Sequence, residues 1–176
     1  PDHPQLWKLW SRDGAASRPV VGGTLGGTLL TGIEFGYIIA FYLVTTRLWK
    51  WWAPAGPLVD PNVLASYLPW LSAVAPSLHA GFWEEALFRA VPLAGAALIG
   101  DRLGNRKLWI GIGLVTEALI FGGAHAGYPS WPAYSRPIEL IVPSLIWGVV
   151  YLRYGLLPSV VTHYLFDLAL FSLPLF

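Results

Sequence analysis

The sequence contains no cysteine and no methionine. Without cysteine it has no disulfide scaffold and no thiolate-ligated metal site. Charge is also scarce. Asp, Glu, Lys and Arg make up 12% of the residues, about half of the roughly 25% carried by an average soluble domain. That scarcity excludes a disordered chain and a basic nucleic-acid-binding tail. The net charge of +1 gives no bulk field that would select an acidic partner. Residues 1–20 are polar and lack an apolar core, so no signal peptide is legible there. The chain starts at Pro1 rather than at an initiator residue and is expected to be a piece of a longer protein. What is present in abundance is apolar surface: 55% of the 176 residues are hydrophobic, ten of them Trp. The length suits one domain, and the composition points to a membrane.

Crossing the hydrocarbon takes about 20 mostly apolar residues. The cleanest candidate is residues 20–46, with Glu34 as its one charge. A loop with an aromatic-basic collar follows at 47–61. Residues 62–75, interrupted by Pro69 and ended by Pro76, read as a short interfacial or re-entrant helix. Residues 76–100 are long enough to span but contain Glu84, Glu85 and Arg89, and DRLGNRK at 101–107 is a turn. A third span, 108–127, holds Glu117 and His125; a proline-rich loop follows at 128–137. Two short helices, 138–153 and 158–173, close the chain, with His163 and Asp167 in the second. No period-2 alternation persists, and open sheet edges are excluded from lipid. The expected fold is all-α: a polytopic transmembrane bundle of about five membrane helices plus the short interfacial one. Residues 1–19 form a juxtamembrane segment and residues 20–176 the membrane domain.

Trp7, Trp10, Trp49, Trp51, Trp52, Trp109 and Trp131 fall near proposed span ends, as interfacial aromatic belts do; the bland alternative is ordinary core Trp. Gly22/Gly26, Gly23/Gly27 and Gly32/Gly36 are each four apart, so small faces stack along the first span and invite close helix packing. With the N-terminus on side one, Lys8, Arg12, Arg18, Arg102, Arg106, Lys107 and Arg153 lie there, against Arg47, Lys50 and Arg136 on side two. That excess makes side one the expected cytoplasmic side.

A charge at mid-bilayer costs roughly 2.5–3.5 kcal/mol even on the gentler insertion scale. Glu84, Glu85 and Arg89 must therefore face inward, pair or line water. Glu85 and Arg89 are four apart, the separation for an ion pair on one helix face. Glu84 points about 100° away from Glu85 and has no local cation, so it is free to hold and activate water. The bland reading is a purely structural ion network. Phe121 and His125 are four apart on one stripe with Glu117, and His163 and Asp167 are four apart on the last helix. Two His and three carboxylates on three membrane helices form a candidate site. Glu34 and Glu117 read as structural helix-to-helix hydrogen-bonding groups, and His79 and Glu139, near span ends, as interfacial.

Two chemistries fit. In one, Glu84 and His125 deprotonate water while His163 and its neighbour stabilise an oxyanion. In the other, His125, His163 and carboxylates hold a divalent metal that generates hydroxide. The HExxH spacing of many zinc helices is absent. Transport is the competing class, but no internal repeat is present.

FWEEALFRAVPL at 82–93 contains EExxxR as Glu84, Glu85 and Arg89; FGGAH at 121–125 fits FxxxH; and THYLFD at 162–167 fits HxxxD/N as His163 and Asp167. This ordered set, over about residues 76–171, resembles the CAAX-protease and bacteriocin-processing (CPBP) family of intramembrane endopeptidases. The resemblance implies a catalytic core at 76–173 that hydrolyses peptide bonds within the bilayer. It implies Glu84 as general base with His125, His163 with Asp167 at the oxyanion site, and Glu85, Arg89 and Phe121 in support. Eukaryotic members remove a tripeptide from prenylated CAAX proteins, while prokaryotic members are more varied and some are linked to bacteriocin immunity. A prokaryotic inner (plasma) membrane is the expected setting. The expected partners are membrane lipid and a membrane-associated protein or peptide substrate, with no nucleic acid; the sequence carries no signal for oligomeric state. No cofactor is expected. A metal-dependent version would use zinc or manganese held by Glu84, His125, His163 and Asp167. A non-enzymatic scaffold or immunity protein keeping the same polar core is the alternative.

Overall fold

The computed structural model describes residues 6–53 and 61–176. The side chain of Trp7, and residues 54–60 within the loop expected at 47–61, lie outside the described residues. Regular structure among the described residues is helical, apart from one isolated antiparallel bridge between Trp52 and Trp131. The principal helices are α1 Arg18–Trp49, α2 Pro69–Glu85, α3 Val91–Leu103, α4 Arg106–Ala124, α5 Ser135–Tyr154 and α6 Leu156–Phe171. Four stretches are long and apolar enough to cross a bilayer: Arg18–Trp49, Arg106–Ala124, Ser135–Tyr154 and Leu156–Leu175. Their outward faces carry Leu25, Leu29, Ile33, Val115 and Leu119, all more than half exposed. Water would penalise such a surface; lipid does not.

The segment around the charged residues departs from the sequence reading. No separate helix ends at Pro76. A short helix covers Pro61–Ala65, and α2 then starts at Pro69 and runs through Pro76. It continues without a break through a π-helical turn, Ala86–Ala90, into α3. Proline at the first turn of a helix forfeits only a donor that is unpaired there anyway. An internal proline such as Pro76 loses one backbone bond, which packed membrane helices tolerate. The π turn has a local cause. Pro92 has no N–H, so the Phe88 carbonyl loses its α-helical donor. The backbone widens just before it, and the Val91 N–H reaches back to the Ala86 carbonyl. Such widened turns occur frequently at functional sites, and this one contains Arg89.

Helix α6 is central, with α1, α2 and α5 packed on it. Of the three glycine pairs in α1, Gly23/Gly27 faces α6: a Cβ on Gly27 would lie 2.6 Å from the Pro158 carbonyl oxygen. The Thr162 hydroxyl donates to the Gly27 carbonyl (3.1 Å), and Phe35 stacks on Phe166 with ring centroids 4.6 Å apart. The Gly22/Gly26 and Gly32/Gly36 faces are open. Helices α5 and α6 are joined by the single residue Gly155, whose φ of 84° lies in the left-handed region that glycine adopts without strain. At one end of the bundle Trp49, Trp52 and Trp131 are exposed, and Trp51 meets Tyr134 edge-on at 5.5 Å. Trp147 is instead buried in the core with Phe121 and Leu140.

Gly148 on α5 packs directly against a buried carboxylate. A Cβ there would meet Glu117 Oε1 and Leu114 Cδ2, each at 2.6 Å. Gly148→Ala is expected to push Glu117 out of its buried position and to cost about 1–3 kcal/mol, the usual range for overpacking. Gly36→Ala, where the added methyl meets nothing within 4 Å, should be silent. Thermal midpoints of the two variants in one detergent check this; equal midpoints would refute it.

Candidate active site

Glu84 and Glu85 end α2, Arg89 sits in the π turn, and Phe121 is in the last turns of α4. His125 lies one residue beyond α4, not within it as the sequence suggested. Its ring is held against a tilted Phe121 ring at 4.5 Å and a stacked Tyr128 ring at 5.5 Å. Its Nδ1–H donates to the Phe121 carbonyl at 2.8 Å. That bond leaves Nε2 as the nitrogen with a free lone pair. Nε2 faces Glu84 Oε2 at 3.7 Å.

His163 approaches from α6. Its Nε2 is 3.9 Å from the same Glu84 oxygen and 3.5 Å from Asp167 Oδ2. Its Nδ1–H donates to Glu85 Oε1 at 2.9 Å. The geometry thus brings Glu84, His125, His163 and Asp167 to one site. Separations of 3.7 and 3.9 Å are too long for direct hydrogen bonds and suit a bridging water.

Beneath this layer is an ion cluster. Arg89 Nε is 3.4 Å from Glu85 Oε2 and 3.6 Å from Glu117 Oε2, with all three side chains fully buried. Its Nη2 donates to the Ser144 hydroxyl (3.0 Å), which donates to Glu117 Oε2 (3.3 Å). The guanidinium lies 4.0 Å from the Phe121 ring centre and 4.9 Å from that of Trp147. A planar delocalised cation suits such aromatic walls. Exposure separates the layers: the side chains of Glu84, Asp167 and His125 are 26%, 16% and 13% exposed, whereas Glu85, Arg89 and Glu117 are at 0%. Only the upper layer can meet a substrate.

Several placements differ from the sequence reading or were absent from it. Glu85 serves two partners, Arg89 and His163, not Arg89 alone. Ser144 and Trp147 were not singled out; their three-residue spacing on α5, a hydroxyl and an aromatic on one face, was the available signal. Glu117 does bond between helices, through Arg89 and Ser144. Glu34 is buried, but its Oε2 has no hydrogen-bond partner. Glu139, near the start of α5, does not face solvent. It is fully buried, paired with Arg136, and accepts from the Tyr42 hydroxyl, while the Tyr37 hydroxyl donates to its carbonyl at 2.8 Å. Two tyrosines of α1 close over the first turns of α5, where a helix N-terminus favours an anion. His79 is exposed beside Trp83.

A family model described as type II CAAX prenyl endopeptidase Rce1-like matches residues 66–169, more than half of the chain. The chain belongs to this Rce1-like family. It is an integral membrane protein of a protease family, and the match spans the motifs that suggested the CPBP resemblance. No curated protein and no solved structure matches it significantly.

Proposed function

We propose that the protein is an intramembrane endopeptidase in which Glu84, assisted by His125, activates water to hydrolyse a peptide bond. The observation that carries the reading is the convergence of both imidazole Nε2 atoms on Glu84 Oε2, at 3.7 and 3.9 Å. A water between Glu84 and His125 donates one hydrogen to the carboxylate and one to His125 Nε2. Glu84 takes a proton as the water oxygen adds to the scissile carbonyl carbon, and the oxyanion forms beside His163. A protonated His163 donates Nε2–H to it. Glu85 on Nδ1 and Asp167 near Nε2 orient the His163 ring for that donation. Glu84 then returns its proton to the leaving amine as the C–N bond breaks. The substrate class is a membrane-associated protein or peptide, of prenylated CAAX type, with the N-terminal side of α1 cytoplasmic.

Among the described residues, no group of three or more His, Asp or Glu is arranged to hold a metal ion. Because a carboxylate beside an imidazole suffices to activate water, activity is expected to survive removal of metal. The check is cleavage of a peptide library by membrane-reconstituted protein before and after stripping with a strong chelator, with elemental analysis alongside. Activity that vanishes, and returns in proportion to added zinc or manganese, would reassign Glu84, His125, His163 and Asp167 as ligands. No cleavage of any peptide by intact, folded protein would overturn the proteolytic reading itself.

A further inference from the structure

A groove of about 630 Å³ lies between α1 and the corner where α5 meets α6, a size typical of sites for small molecules. Arg18, the first residue of α1, and Arg153, in the last turn of α5, line its mouth. Gly22 and Gly26 form part of the floor, where an added methyl group would meet nothing within 4 Å. Leu29 and Ile33 line it further along α1. Neither Arg18 nor Arg153 has an acidic partner among the described residues, whereas Arg106 at the same end is paired with Asp101 at 3.6 Å. Two unmatched cations at the mouth of an apolar groove call for an anion with an apolar tail.

The dimensions fit one leaflet. From Arg18 to Ile33 is fifteen residues of α1, about 22 Å at 1.5 Å per residue. Half of a bilayer about 40–45 Å thick with its head groups is the same length. The basic excess on this side of the bundle also matches a leaflet rich in anionic lipid. We propose that this groove binds one anionic phospholipid, its phosphate between Arg18 and Arg153 and an acyl chain along the Gly22/Gly26 floor. None of Glu84, His125, His163 or Asp167 lines the groove, so the proposal is independent of the proteolytic reading.

The test uses the intact protein in a neutral detergent, with equimolar phosphatidylglycerol and phosphatidylcholine of identical chains, and native mass spectrometry as readout. One phosphatidylglycerol is expected to be retained in preference. Arg18→Gln and Arg153→Gln should each reduce that preference about five-fold, the usual effect of one juxtamembrane basic residue. Arg102→Gln with Lys107→Gln, at the same end but outside the groove, should leave it unchanged. Gly26→Leu, or Gly22→Leu if the first does not fold, should remove the bound lipid by filling the floor. The proposal is overturned if both lipids are retained equally. It is also overturned if the outside pair lowers the preference as much as the two groove arginines, if both glycine variants keep the lipid, or if a dimer abolished by Gly26→Leu takes its place.

Discussion

Glu84→Gln is expected to lower peptide hydrolysis by about 10²–10⁴-fold, the range assigned to a positioned acid–base group, and to leave the fold intact. Gln has the shape of Glu but cannot take the proton of a bound water. The fold does not lean on the charge that is lost, because Glu84 Oε2 has no hydrogen-bond partner in the protein and is merely near the two imidazoles, at 3.7 and 3.9 Å. Glu84→Asp keeps the carboxylate but withdraws it from both histidines by one methylene. A displacement of that order can cost about 10²-fold, so this variant should fall between wild type and Glu84→Gln. Initial rates on one reporter peptide, with the thermal midpoint measured on the same preparations, decide the matter. A Glu84→Gln protein that cleaves at the wild-type rate would move the base to Asp167, the other partly exposed carboxylate of the layer.

The contrast between Glu84 and Glu85 was legible in the sequence because helix geometry separates adjacent residues by about 100°, and only Glu85 has a basic residue four positions on. The apolar spans and the chain reversal within DRLGNRK were legible because hydropathy and punctuation are local properties, although the turn itself is only Gly104–Asn105 and the flanking residues are helical. What could not be read locally was which face met which helix. Gly23/Gly27 and Gly22/Gly26 look alike in sequence, yet one packs on α6 and the other is open. Pro76 reads as a helix breaker, but the cost of one lost backbone bond is small beside the packing of α2 on α6. Glu139 sits near the end of an apolar run, where solvation is the default. Its burial depends on Tyr37 and Tyr42, about a hundred residues earlier, crossing above it. Separation in sequence also hid the Glu85–His163 bond, between residues 78 apart.

The largest loss of folded protein is expected from Arg89→Ala. Removing this side chain leaves Glu85 and Glu117 fully buried without their shared cation and opens a gap beside the Phe121 and Trp147 rings. Breaking one buried pair costs about 3–5 kcal/mol, chiefly because a charge is stranded away from water. Arg89→Ala strands Glu117 and leaves Glu85 with His163 alone, so it should exceed Glu85→Ala, which leaves Arg89 with Glu117 as its partner. If stranded charge is the cause, deleting all the charges together should be mild. Arg89→Met combined with Glu85→Gln and Glu117→Gln is expected to recover most of the folded yield that Arg89→Ala loses. The triple variant should still be impaired in cleavage, since His163 Nδ1–H would then face an amide that can turn its NH2 toward the ring, instead of the Glu85 carboxylate that can only accept and so orients it. Monodisperse yield after detergent extraction and the thermal midpoint measure the first effect, and the rate per folded molecule measures the second. A silent Arg89→Ala would show that the cluster does not hold the helices together. A triple variant as unstable as Arg89→Ala would show that the guanidinium acts through its packing between the two aromatic rings rather than through its charge.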